Sequence, residues 1–111
     1  MSFDALNVAY DLVRSVQPLI RRIAARNRSL ADQLERAVAS PALNLSEGSE
    51  LCDRSRLNHY RIAAGSTREV EAALRVAEAF GYVGPSDVGD ALALADRLNA
   101  MLYVLTRRPR R

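Results

Sequence analysis

Apolar residues recur along the first segment of this chain at alternating intervals of three and four. They stand at Leu6, Ala9, Val13, Val16, Ile20 and Ile23. Because this spacing keeps side chains on one face of an α-helix, it predicts a helix over roughly residues 4–26. Pro18 lies inside that pattern, and a proline in a helix removes a hydrogen bond and bends the axis. The unbroken phase favours one kinked helix over the alternative, in which Pro18 opens a new turn.

A second segment of the same kind follows a turn at residues 27–29. Ser29 is the candidate N-cap, and the apolar pattern runs from Leu30 to a predicted helix end at Gly48. Pro41 interrupts this segment, so the helix either bends there or ends and begins again. The sequence is compatible with both alternatives.

The third segment distributes its apolar residues most widely. Asp53 or Ser55 is expected to cap its helix, which ends before a left-handed Gly81. One set of residues recurs at alternating intervals of four and three, and most of its members are small, which lets helices approach closely. The set consists of His59, Ala63, Ser66, Val70, Ala73, Ala77 and Phe80. A second, apolar set lies outside the first and consists of Tyr60, Ile62, Leu74 and Val76. Because a bundle helix needs only one apolar stripe, the additional face predicts oligomerisation.

A fourth helix over roughly residues 87–106, capped by Ser86, also has a wide apolar face. Ala and Leu supply 18 and 15 of the 111 residues, whereas residues that favour β-structure are few. The sequence therefore predicts an all-α protein, an antiparallel up-down-up-down four-helix bundle. At this length the chain is one domain, with the bundle over residues 1–106 and a basic C-terminal tail over residues 107–111.

Positive charge is concentrated in two segments, although the net charge is only +3. The stretch between Asp11 and Asp32 has no acidic residue and contains Arg14, Arg21, Arg22, Arg26 and Arg28. The tail adds Arg107, Arg108, Arg110 and Arg111. A localised basic surface is typical of a protein whose partner carries phosphates or acidic side chains. Because all sixteen basic residues are Arg and none is Lys, genome-wide codon bias is the alternative interpretation.

The chain lacks the residues that most catalytic and metal-binding classes need. Cys52 and His59 are its only Cys and His, so they cannot complete a four-ligand zinc site or an internal disulfide. We interpret Cys52 as a small packing residue and His59 as a hydrogen-bonded one, not as a nucleophile and its base. The five glycines form no phosphate-binding loop. We therefore expect no enzyme activity and no cofactor.

No targeting or membrane segment stands out in the sequence. The longest uncharged stretch, residues 37–46, is far shorter than the ~20 residues that cross a bilayer. The N-terminus has no basic residues followed by an apolar run, so no signal peptide is expected. With a single cysteine, these features predict a cytoplasmic protein without a membrane partner.

A polar pair interrupts the apolar face of the second helix. Asn44 and Glu47 are three residues apart and share one side of that helix. They are placed to hydrogen-bond to the third helix, through Tyr60, Arg61 or Ser66. We favour a buried polar network that fixes helix register over a functional site. The whole structural polar motif comprises Asn44, Glu47, Gly48, Tyr60, Arg61, Ser66 and Glu69.

Two runs of this sequence are similar to a family signature: residues 40–49, SPALNLSEGS, and residues 59–70, HYRIAAGSTREV. Together with Phe80-Gly81-Tyr82, they resemble the four-helix-bundle proteins encoded in intervening sequences of bacterial 23S ribosomal RNA genes. The accessory variability determinant of diversity-generating retroelements belongs to the same wider group. The resemblance covers about residues 4–106 and implies a ring-like homopentamer of bundles. The retroelement members bind a reverse transcriptase and nucleic acid through a basic surface of the pentamer, and the resemblance implies a surface of this kind here.

These features lead us to expect a non-catalytic, homo-oligomeric accessory that binds RNA or a ribonucleoprotein. The arginines of the two basic segments would neutralise phosphates, with the tail as a flexible clamp. Because two Phe and four Tyr are few and most fall in or near helix seams, we expect no aromatic stacking platform and no sequence-specific single-strand recognition. The alternative is a multivalent protein–protein scaffold.

Overall fold

The computed structural model describes residues 2–107 and contains four α-helices. They are α1 (Ser2–Ala24), α2 (Arg28–Gly48), α3 (Asp53–Ala79) and α4 (Pro85–Thr106). No strand occurs within the described residues, so the prediction of an all-α, four-helix protein is confirmed. None of these four helices combines the length and the apolar character needed to span a membrane.

Both internal prolines lie within continuous helices. Pro18 belongs to α1 and Pro41 to α2, so α1 is one helix, as expected, and α2 neither ends nor restarts at its proline. Pro18 is exposed, whereas Pro41 is buried. Each ring removes one backbone donor, but buried apolar residues on both sides of each proline keep the two halves of the helix packed on the core.

The N-cap predicted for α2 is wrong by two residues. Asn27, not Ser29, holds this position, and its Oδ1 accepts a hydrogen bond from the backbone N–H of Leu30 at 3.0 Å. The extended backbone of Asn27 lets its side chain reach back over the first turn. Ser29 already lies inside the helix.

The N-caps predicted for α3 and α4 are also wrong. Cys52 occupies the N-cap position of α3 without a side-chain hydrogen bond, and neither Asp53 nor Ser55 holds it. The N-cap of α4 is Gly84, two residues before the predicted Ser86, and the helix begins at Pro85. Proline fits the first position of a helix because the N–H it lacks would have no partner there.

α3 ends in a turn with the Schellman hydrogen-bond pattern. The backbone N–H of Gly81 donates to the carbonyl of Glu78 at 2.9 Å. The next N–H, that of Tyr82, donates to the carbonyl of Ala77 at 3.0 Å. Gly81 has a φ of +79°, the left-handed conformation that glycine adopts without steric cost. The turn thereby sets the positions of the two aromatic residues on either side of this glycine.

The four helices bury one shared core. α2 packs against α1 and, most extensively, against α3, while α4 packs against α1 and α3. Burial stabilises each large aliphatic side chain by about 1.5–3 kcal/mol relative to exposure. The largest fully buried aliphatic residues come from every helix and are Leu12, Val16, Ile23, Leu34, Leu45, Val70, Leu74, Val88, Leu98 and Leu102.

The connection between α1 and α2 lies beside the connection between α3 and α4. Asn27 Nδ2 donates to the Tyr82 hydroxyl at 3.4 Å. Arg22, near the end of α1, pairs with Asp87, near the start of α4, at 3.0 Å. We call this part of the molecule, residues 22–28 and 80–87, the Tyr82 end.

Asp87 makes the stability of the Tyr82 end dependent on pH. Its Oδ2 accepts from the backbone N–H of Gly84 at 2.7 Å and pairs with Arg22. The hydrogen bond from Gly84, and secondly the Arg22 guanidinium, hold the pKa of Asp87 below its ordinary value. Because the folded state binds this proton less readily than the unfolded chain, the stabilisation is complete above the ordinary Asp pKa of about 3.9. It is lost as the pH falls through the lower folded pKa.

We expect Asp87→Asn to lower the melting temperature at neutral pH and to reduce the further decrease between about pH 6 and pH 3. Thermal melts followed by circular dichroism at the two pH values measure both effects. Asp90→Asn, at an exposed position one turn further along α4, is the control and should behave as the wild type. An equal acid-induced decrease in wild type and Asp87→Asn would contradict this assignment.

Candidate nucleic-acid interface

The arginines of the first basic segment are all exposed, and two of them lie on the outer surface of α1. Arg14 and Arg21 stand seven residues apart, two turns along the same side of the helix. Arg14 Nη1 pairs with Asp11 Oδ1 at 2.9 Å, with both side chains largely exposed. Since an exposed ion pair contributes little stability, Arg14 can exchange this partner for a phosphate at small cost.

The other three arginines of this segment gather at the Tyr82 end, where α1 ends and α2 begins. Arg22 is paired with Asp87. Within the described part of the chain, neither Arg26 nor Arg28 forms an ion pair with a carboxylate. Two uncompensated guanidinium groups therefore remain at this end, and such groups suit a partner that carries phosphates.

Arg26 lies over an aromatic pair made of exposed Phe80 and partly buried Tyr82. Its guanidinium carbon is 5.4 Å from the centroid of the Tyr82 ring, within cation–π distance. The Tyr82 ring stacks on Phe80, with 5.1 Å between centroids and 11° between planes. Phe80 is 62% exposed, so its predicted place in the helix seam is wrong. Phe80 is the C-cap of α3 and keeps a helical backbone, and its ring stacks on Tyr82 beyond the turn instead of packing in the core.

The structure separates the second basic segment from the first. α4 starts at the Tyr82 end and runs for 22 residues, which carries the chain ~33 Å from that end. Arg107 follows, exposed, with its guanidinium carbon 5.6 Å from the centroid of the Tyr103 ring. Arg108, Arg110 and Arg111 lie outside the described residues. The predicted clamp therefore begins at the opposite end of the bundle from Arg26.

A chain of hydrogen bonds joins α2 to α3. Ser40 Oγ and Ser66 Oγ are 2.6 Å apart. Asn44 Nδ2 donates to the backbone carbonyl of Ser40 at 3.0 Å and to its Oγ at 3.1 Å. On its other side, Asn44 Oδ1 lies 2.8 Å from His59 Nδ1. Asn44 and Ser66 of the predicted polar motif belong to this polar chain, and its other members are Ser40 and His59.

The remaining residues of the predicted motif take no part in the polar chain. Glu47, Arg61 and Glu69 are exposed, while Gly48 and Tyr60 are buried. The spacing of residues in the sequence does not distinguish the residues of the polar chain from the others. It indicates which residues share a side of one helix, but not which side of that helix contacts the neighbouring helix.

The directions of these hydrogen bonds determine which nitrogen of the neutral His59 ring carries the hydrogen. The backbone carbonyl of Ser40 can only accept, so Asn44 turns its Nδ2 to Ser40 and its Oδ1 to His59. Since Oδ1 is an acceptor, His59 Nδ1 carries the hydrogen. In the neutral ring, Nε2 is then the acceptor nitrogen, and Nδ1 is committed to the polar chain.

Cys52 is exposed at the start of α3, so its interpretation as a packing residue is wrong. Its described neighbours on this connection and in the first turn of α3, Leu51 and Arg54, are exposed as well. Among the residues that the structure describes, no three His, Cys, Asp or Glu side chains gather closely enough to hold a metal ion.

Another polar contact, between α3 and α4, was not found from the sequence. Asn99 Nδ2 donates to Glu71 Oε1 at 3.0 Å. Asn99 Oδ1 is buried, without a hydrogen-bond partner in the described part of the chain. The two residues are 28 positions apart and belong to no local motif, so no sequence signal links them.

Gly48 allows α2 and α3 to approach closely where their contact ends. A Cβ at this position would lie 2.8 Å from Tyr60 Cε1 and 3.1 Å from His59 Cβ. Both distances are shorter than the optimal carbon–carbon separation of roughly 3.5–4.0 Å. The glycine that marks the end of the helix in the sequence therefore also serves interhelical packing.

We expect Asn44→Ala to lower the free energy of unfolding by about 1–3 kcal/mol, because it leaves His59 Nδ1 and the Ser40 groups without their partner. Chemical denaturation of the purified protein measures the change. Glu47→Ala, one turn away and exposed, is the matched control and should stay within about 0.5 kcal/mol of the wild type. Equal effects of the two substitutions would show that the polar chain does not stabilise the α2–α3 contact.

We expect Gly48→Ala to destabilise the protein by about 1–3 kcal/mol, because the added methyl group overpacks the contact with Tyr60. Gly89→Ala, in α4, is the control, since a Cβ there meets no atom within 4 Å. That substitution should stabilise the helix by about 0.5–1 kcal/mol. The denaturant midpoints of the two variants, compared with that of the wild type, measure both changes. A Gly48→Ala protein more stable than the wild type would contradict the close approach of α2 and α3 at Gly48.

Comparison with known proteins agrees with this fold. A solved structure from Bacteroides thetaiotaomicron VPI-5482, described as a protein with unknown function from the S23 ribosomal protein family, matches with a TM-score of 0.85. The match covers 94% of this chain and 99% of that chain at 15% sequence identity, so it supports the fold alone. Among curated proteins, none matches this chain. The family model described as 23S rRNA-intervening sequence protein matches residues 1–104. The chain therefore belongs to the family of 23S rRNA-intervening sequence proteins.

Proposed function

We propose that this protein is a non-catalytic, homo-oligomeric accessory that binds RNA or a ribonucleoprotein through the basic surface of α1 and the Tyr82 end. The observation that carries the proposal is the placement of the arginines. Five exposed arginines follow one another between Asp11 and Asp32 without an intervening acid. Such a surface attracts phosphates and releases counterions when it binds them. The resemblance to the accessory determinants of retroelements, whose basic surface binds nucleic acid, is part of the same proposal.

The proposed assembly is a homopentamer of up-down bundles. An up-down arrangement is favoured by three contacts: Asn44 with His59, Ser40 with Ser66, and Asn27 with Tyr82. From the first contact to the third, one partner lies progressively earlier in the sequence and the other progressively later, as in two antiparallel helices. Association of several copies is favoured by the large hydrophobic side chains that stay exposed in one copy. We assign this role to six of them: Tyr10, Leu51, Ile62, Val76, Tyr103 and Val104.

The non-catalytic part of the proposal rests on how the polar side chains are used. His59 Nδ1 is committed to Asn44, and Asn44 in turn is committed to Ser40. Cys52 is exposed on the connection between α2 and α3. These groups serve helix packing or face solvent, and they do not converge as a nucleophile, a base and an oxyanion site would.

A multivalent protein–protein scaffold is the second candidate function. The observation in its favour is the set of exposed hydrophobic residues on α3, where Ile62 and Val76 lie fourteen residues apart on one side of the helix. If several copies associate through other surfaces, a repeated apolar patch gains affinity for a protein partner through multivalency.

We expect the double variant Arg26→Gln/Arg28→Gln to bind structured RNA more weakly and with less salt dependence than the wild type. Loss of two phosphate contacts should reduce the slope of log affinity against log salt by roughly 1.4–1.8. Fluorescence anisotropy titrations over a salt series, on nuclease-treated protein, give the slope. The oligomer mass from light scattering gives the stoichiometry.

The double variant Arg61→Gln/Arg68→Gln is the matched control, because it removes the same charge from exposed positions on α3 outside the Tyr82 end. Its slope should equal that of the wild type. Equal losses in both double variants would show that net charge, not the Tyr82 end, determines binding. A wild-type protein that binds no RNA at low salt would exclude the accessory function and favour the scaffold.

A further inference from the structure

We propose that Phe80 at the Tyr82 end binds an unpaired nucleotide of the RNA, by stacking with its base while Arg26 and Arg28 bind the adjacent phosphates. This inference rests on the proposed RNA-binding function and specifies the kind of RNA. The partner it assigns is a single-stranded or looped segment, not a continuous duplex.

The Phe80 ring is the accessible part of the aromatic pair. One face of the Phe80 ring stacks on Tyr82, yet 62% of the residue remains exposed. A ring so placed offers a π-face of the kind on which a base stacks in proteins that bind single strands. A base inside a duplex is already stacked on both sides and cannot use this surface.

The stacked rings of Phe80 and Tyr82, which we call the platform, are held in place before any ligand binds. The Schellman hydrogen bonds of Gly81 and Tyr82 hold the turn that carries both rings. The Tyr82 hydroxyl accepts from Asn27 Nδ2 at 3.4 Å, and the next residue, Val83, is buried in the core. Because both sides of the stack are anchored, little conformational entropy is lost when a base adds to it.

Positive charge at this end complements the phosphates that flank such a base. Arg26 lies on the Tyr82 ring, so a guanidinium stands directly beside the platform. Asp87 is engaged by Gly84 and Arg22, while Arg26 and Arg28 have no carboxylate partner in the described part of the chain. An aromatic face next to free guanidinium groups matches a nucleotide better than an apolar protein segment.

The test compares three RNA ligands of equal phosphate number: a single strand, the same strand with three central abasic nucleotides, and a blunt duplex. We expect Phe80→Ala and Phe80→Leu to weaken single-strand binding by roughly 5- to 100-fold. Both variants should leave the binding of the abasic strand, the binding of the duplex and the salt slope unchanged. Anisotropy titrations measure each affinity, and Phe80→Leu separates the π-face from mere apolar character.

Leu43→Ala is the matched control, since Leu43 is 66% exposed and lies on α2 away from the Tyr82 end. It should bind all three ligands as the wild type does. If Phe80 variants retain full single-strand affinity while wild-type protein still binds RNA, the stacking site is refuted and the accessory function stands. If wild-type protein binds none of the ligands, both are refuted. A lower oligomer mass in Phe80→Ala would assign the ring to a subunit interface and overturn the inference.

Discussion

The hydrogen bonds between α2 and α3 set the register on which the rest of the molecule depends. Ser40 faces Ser66 across this contact. Asn27 lies thirteen residues before Ser40, and Phe80 lies fourteen residues after Ser66. Each interval corresponds to about 20 Å of helix. Because the two lengths agree, the start of α2 and the end of α3 reach the same level, where Asn27 meets Tyr82.

That meeting joins the basic segment to the aromatic pair. Asn27 caps α2 with its Oδ1 and holds the Tyr82 hydroxyl with its Nδ2. Its neighbour in the sequence, Arg26, therefore falls on the Tyr82 ring. A shift of α2 along α3 by one turn, ~5.4 Å, would break the polar chain, move Gly48 away from Tyr60 and separate the arginine from the platform. Packing and the candidate interface thus depend on the same register.

The positive charge of this protein is divided between two separate parts of the molecule. The two arginine-rich segments are apart in the sequence, and the length of α4 keeps the start of the second one at the far end of the bundle. Single carboxylates are used to hold elements together, as Asp87 does between α4 and Arg22, and not to neutralise Arg26 and Arg28. One end of the bundle therefore combines an ordered aromatic face with available positive charge, which is the physical basis of the RNA-binding proposal.

The spacing of apolar residues was sufficient to predict four helices and the continuous first helix, because each depends on one face of one helix. The glycine and proline that follow the third apolar segment were sufficient to predict the left-handed Gly81, because this depends on local backbone preference. The arginine segments were equally visible in the sequence. The N-caps were not, since Asn27 and Ser29 are both good capping residues and the choice depends on where the first turn begins to pack. Only the tertiary structure decided that Asn44 bonds His59, that Gly48 admits Tyr60 and that Phe80 leaves the seam. These outcomes depend on how far one helix is shifted and rotated against another, and the periodicity of a single helix carries no information about that relation.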